Sequence, residues 1–85
     1  METATHNAAD LLAEAGRTLY GDPWIARLAR DIGVSAPTLR AWTAGRLHLS
    51  LTHDAVKDTL RLLERRRDEV DRVAARIKEL ISDGA

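Results

Sequence analysis

The sequence predicts an all-α protein, a helix-turn-helix bundle of three short helices followed by one long C-terminal helix. Three observations lead there. Hydrophobic residues make up 45% of the 85 residues while aromatics make up only 4% and Phe is absent, so the core must come from Leu, Ile, Val and Ala, as in helical proteins. The stretch from Ile25 to Ala44 carries apolar residues at helical spacing on both sides of a glycine break. Val56, Leu63, Val70 and Ile77 then repeat at heptad intervals through the last third of the chain. A chain of this length forms one domain and buries only about 60% of its unfolded surface, so a second copy is expected to complete the core. The expected organisation is a flexible N-terminus over 1–7, a helix-turn-helix unit over 8–51, and over 52–85 a long helix that closes the core and dimerises.

Met1 to His6 is polar and takes no assigned structure. Asn7 caps a first helix whose Ala8, Leu11, Leu12, Ala15 and Leu19 share a face, with Asp10 and Glu14 placed to favour its dipole, and which ends near Tyr20-Gly21. Gly16 inside it sacrifices about 1 kcal/mol relative to Ala, which signals close approach of a neighbouring helix. This helix is the brace. Asp22-Pro23 reads as a cap and first residue, giving a second helix over Pro23 to Asp31. Leu28, Ala29 and Ile32 face inward, Arg27 and Arg30 outward. Gly33 takes the left-handed turn, Ser35 caps a third helix with Leu39 and Trp42 inward, and that helix stops before Gly45.

Leu47, Leu49 and Leu51 read as plugs between this unit and the last helix, because no partner strand exists for them. Ser50 or Thr52 caps the final helix, expected over His53 to Ser82, a rod of about 45 Å that outruns a compact domain. Its Val56 to Leu63 half closes the core. Its Val70 to Ile81 half supplies a dimer contact, with a bend back over the same core as the alternative. Arg65-Arg66-Arg67 sits among Asp58, Glu64, Asp68, Glu69 and Asp71, and reads as a solvated charged face.

The pattern Leu28-Ala29, Ile32-Gly33-Val34-Ser35, Leu39 and Trp42, closed by Gly45-Arg46, resembles the phage repressor and Cro-type DNA-binding domains of bacteria and their viruses, over about Asp22 to Arg46. The run from Leu19 to Trp24 is similar to small one-domain bacterial regulators in which a Trp opens the first helix of the motif. The resemblance implies binding to operator DNA as a dimer. In such proteins the start of the second motif helix meets base edges in the major groove. The base-reading candidates are therefore Ser35, Ala36, Pro37, Thr38, Arg40 and Ala41, with Arg40 as the long donor able to fork onto guanine for about 1–3 kcal/mol of discrimination. Trp24, Arg27, Thr43 and Arg46 are candidates for the DNA backbone, although the Trp24 indole also suits packing on the brace. The candidate dimer interface is Val70, Val73, Ile77, Leu80 and Ile81.

Charge is consistent with a local reader. Met1 to Gly16 holds three acids and no base, Arg17 to Arg46 holds five arginines against Asp22 and Asp31, and the remainder balances, so the net charge is zero while the positive excess lies in the motif. Such an excess neutralises few phosphates per copy, which makes pairing of two reading heads necessary. The leading expectation is thus a homodimeric transcriptional regulator, a repressor, on double-stranded DNA, with half-sites about 34 Å apart. The alternative is a helical protein-interaction module, for example an antitoxin or phage adaptor.

An enzyme is not expected, because no Ser/His/Asp, Cys/His or Gly-rich phosphate pattern occurs. With no cysteine, and with His6, His48 and His53 unsuited by spacing to one ligand set, neither metal nor other cofactor nor small-molecule ligand is expected. The Met-Glu-Thr-Ala start lacks signal-peptide character and no apolar run is long enough for a membrane span, so the expected location is the cytoplasm.

Overall fold

The computed structural model describes residues 7–84; the expectation for Met1 to His6 lies outside them. Among the described residues there are four helices and no strand: α1 (Ala8–Tyr20), α2 (Ile25–Ile32), α3 (Ala36–Thr43) and α4 (Asp54–Gly84). The protein is all-α, with three short helices and a long fourth, as its composition and periodicity imply.

Side-chain caps set most of the helix starts. Asn7 Oδ1 accepts from Asp10 N–H at 2.8 Å at the head of α1. Ser35, in an extended conformation, accepts from Thr38 N–H at 3.1 Å at the head of α3. Between them, Gly33 closes α2 at φ 74°, in the left-handed region that a side chain would disfavour, and Val34 N–H reaches back to Ala29 carbonyl at 3.0 Å. This six-residue closure satisfies carbonyls that a helix end would otherwise strand, and it turns Val34 onto the core. It recurs at the end of α3, where Arg46 N–H donates to Ala41 carbonyl at 2.9 Å.

Two starts differ from the local signals. Helix α2 begins at Ile25 and not at Pro23; Trp24 occupies the cap position with no capping side chain, and Asp22-Pro23, whose peptide bond is cis, belongs to the connection. The reason is packing. Trp24 is buried with its ring against Gly16 of α1, so the residues before Ile25 follow the indole's position and not a cap geometry. The close approach that Gly16 signals is therefore to this indole and not to a helix backbone. At α4, neither Ser50 nor Thr52 is the cap. Ser50 accepts from Thr52 N–H at 3.2 Å within the preceding turn, while His53 Nδ1 accepts from Ala55 N–H at 2.9 Å. The His53 ring also meets Trp42 edge-on, with centroids 5.2 Å apart, which ties the start of α4 to α3.

One cluster forms the core: Ala8 and Leu12 of α1, Trp24 just before α2, Leu28, Ala29 and Ile32 of α2, Leu39 and Trp42 of α3, then Leu49 and Ala55. Leu12, Leu28 and Leu39 are its fully buried large side chains, one from each short helix. Of the three loop leucines only Leu49 plugs the core. Leu47 and Leu51 are exposed, because the segment is irregular and does not keep the two-residue period that would put all three on one face.

Helix α4 is continuous over 31 residues, about 46 Å, so it does not bend back on the body. Its proximal half packs through Ala55 and Thr59, with Val56 and Leu62 beside them; Thr59 spends its hydroxyl on Ala55 carbonyl at 2.7 Å. At the opposite corner, Tyr20 closes α1 by donating its hydroxyl to Asp31 of α2. Burial first, and then this bond to a carboxylate, push the Tyr20 phenol up to about 12. The same bond holds Asp31 below the usual carboxylate range.

Candidate nucleic-acid interface

Helix α3 is held from one side only. Leu39 and Trp42 sit in the core, whereas Pro37, Arg40 and Ala44 are exposed and fall at the i, i+3 and i+7 positions of a single helix face. Two of these three have short side chains, so Arg40 stands above a low surface that another molecule can approach closely. Arg40 makes no ion pair among the described residues; its backbone carbonyl accepts from Thr43 Oγ1 at 3.1 Å. From Ile32 through His53 the chain contains no Asp or Glu, so no carboxylate of the turn, of α3 or of the following loop opposes an anion there.

The six base-reading candidates separate into two groups. Ser35, Pro37 and Arg40 are exposed, whereas Ala36, Thr38 and Ala41 are half-buried. Ser35 is further committed, since its hydroxyl caps Thr38 N–H and donates to Thr38 Oγ1 at 2.8 Å. That leaves Arg40 as the long donor on the outer face, with Thr38 at its edge. Ala44, in line with Pro37 and Arg40, belongs to this surface and was not among the sequence candidates; counting one more helical repeat from Pro37 finds it.

The backbone candidates separate too. Arg27 and Arg46 are exposed and make no ion pair among the described residues. Trp24 is 5% exposed, packed on Gly16, with the Arg17 guanidinium 5.7 Å from its ring centre. No side-chain nitrogen or oxygen among the described residues is both buried and unpaired, so the edge of the indole that carries its N–H reaches the surface. It does so beside a crevice of about 570 Å³ that also holds Thr43, Asp10 and Glu14. Arg17 lines the same crevice beside the two carboxylates, so Trp24 and Thr43 border a pocket of mixed charge, whereas Arg27 and Arg46 are exposed.

The five interface candidates on α4 are all open: Val70, Val73, Ile77, Leu80 and Ile81 are each more than half exposed, from 52% at Ile77 to 71% at Leu80. Among the described residues no group of His, Cys, Asp and Glu is arranged to hold a metal ion, and no helix is long and apolar enough to cross a membrane. No family model, curated protein or solved structure matches the chain.

Proposed function

We propose that this chain is a sequence-specific DNA-binding regulator that represses by occupying a short inverted repeat as a homodimer. Each α3 lies in a major groove, Arg40 reads a base edge, and Arg27 and Arg46 hold the backbone. The observation that carries this reading is the outer face of α3, exposed, free of acids and centred on an arginine that makes no ion pair among the described residues. Leu39 and Trp42 fix that face outward by anchoring the opposite side. The apolar distal half of α4 supplies the pairing of heads that a modest positive excess requires.

Selection of bound fragments from random duplex DNA tests the proposal. Wild type enriches an inverted repeat, and Arg40→Ala relaxes preference at one base pair of each half-site by about 1–3 kcal/mol. Uniform weakening on all sequences reassigns Arg40 to the backbone, and enrichment of no sequence by wild type refutes the reading. A second reading, an interaction module for a different protein, draws on the bare apolar run from Val70 to Ile81. A chain that sediments as a monomer and enriches no DNA favours it.

A further inference from the structure

We propose that two copies of this chain pair antiparallel along α4, crossing near Arg72, with Ile81 of the second copy seated in the groove between α1 and α4. The proposal rests on the homodimer above and fixes its orientation and its occupant.

Positions 56, 60, 63, 67, 70, 74, 77 and 81 alternate steps of four and three and so form one ridge along α4. Every residue on it is apolar except Arg67. The proximal part, Val56, Leu60 and Leu63, joins Leu11, Leu12 and Ala15 of α1 around a largely apolar groove of about 310 Å³. Its own chain leaves that groove unfilled: Leu11 is 40% and Leu60 54% exposed. The distal part, Val70, Ala74 and Ile77 with Val73, carries a second apolar depression of about 400 Å³. One molecule thus shows an apolar groove and an apolar rod on the same line of the same helix.

A twofold axis near Arg72 brings them together, each copy giving and receiving the same contacts. Ile81 then lies across from Leu63, Ile77 from Arg67, and Ala74 from Val70. Arg67 lays its methylene stem on Ile77 and keeps its charge at the rim. On one flank Glu64 faces Lys78 of the second copy, so opposite charges meet there, while Val73 and Leu80 extend the apolar seam on the other. The parallel alternative sets Arg67 against its own copy in the seam and leaves the groove at Leu11 and Leu60 without an occupant.

The chain has no cysteine, so introduced thiols report cleanly. With Leu63→Cys and Ile81→Cys combined, oxidation is expected to link two chains on a non-reducing gel, while neither single variant links. Self-linking of each single variant overturns the orientation and leaves the dimer and the DNA reading standing. Sedimentation of wild type as a monomer overturns this proposal together with the homodimer. Because Leu63 forms part of the groove wall, a second measurement uses the exposed Leu80 alone. Spin labels on Leu80→Cys are expected about 24 Å apart along the helix axes. A separation of about 10 Å, the distance between two packed helices, overturns the antiparallel arrangement.

Discussion

Substituting Gly16 by Ala places a methyl group where the Trp24 ring already lies. The new Cβ would stand 2.2 Å from Cε3, 2.7 Å from Cδ2 and 2.9 Å from Cζ3 of the indole. Carbon atoms in contact settle at about 3.5–4.0 Å, so the ring must retreat by more than about 1 Å. A ring that is 5% exposed, backed by the core and with the Arg17 guanidinium beside it, has little room to do so. Overpacking of this kind costs about 1–3 kcal/mol, and Ala in place of Gly within a helix returns about 1 kcal/mol. Expulsion of the ring would raise the loss towards the roughly 3–5 kcal/mol of a Trp truncation. The expected outcome is a net destabilisation of up to about 2 kcal/mol, larger if the ring is expelled, seen as a Tm lower by up to roughly 15 °C in circular-dichroism melts at matched protein concentration. The decisive comparison is the Trp24→Ala background, where the same Gly16→Ala change is expected to raise stability by about 1 kcal/mol because only helix propensity remains. A higher Tm for Gly16→Ala in the wild-type background would refute the account of how α1 positions the start of α2.

Three further outcomes follow from the surface of the molecule. Arg46→Ala is expected to weaken binding to all DNA sequences alike and to reduce the slope of log affinity against log salt by about 1 per copy; an unchanged slope removes Arg46 from the phosphates. Ile77→Asp is expected to yield monomers in sedimentation with weaker binding to the selected inverted repeat, and a persistent dimer moves the interface elsewhere on the chain. Tyr20→Phe is expected to alter both ends of the pH–stability profile. Wild type gains stability from the depressed Asp31, present above the ordinary carboxylate value of 3.8 and lost as pH falls below it, and from the raised Tyr20, present below 10 and lost as pH climbs towards about 12. The variant lacks the bond behind the first effect and the phenol behind the second, so its profile should be flatter in both windows; an unchanged profile would separate these groups from stability.

Features governed by neighbouring residues are legible in the sequence alone. The caps at Asn7 and Ser35 and the left-handed closure at Gly33 depend on groups a few residues apart, and all three stand where the sequence puts them. Apolar spacing likewise marks Leu28, Ala29, Ile32, Leu39 and Trp42 as inward and the distal α4 residues as lacking room on the body. What escaped was set by distant contacts. Asp22-Pro23 has the local chemistry of a helix start, yet packing of Trp24 on Gly16 delays α2 to Ile25. His53 became the cap of α4 because its ring also packs on Trp42, a contact across ten intervening residues that hydroxyl-first reasoning at Ser50 and Thr52 passes over. In the candidate interface, Arg40 was legible as the long donor, whereas the half-burial of Ala36, Thr38 and Ala41 depended on how α3 rolls onto the core.

The brevity of α3 has a consequence for how any recognition by it would be governed. Eight residues make barely two turns, well below the length at which a helix persists alone in water, so its shape is borrowed from Leu12, Trp24 and Leu28, which share the core with its Leu39 and Trp42. A loosened scaffold therefore has no ordered outer face to offer, and chemical or thermal insult to the interior should remove that face before the chain has fully unravelled. Recognition would switch off with the integrity of the interior, with no separate hinge required.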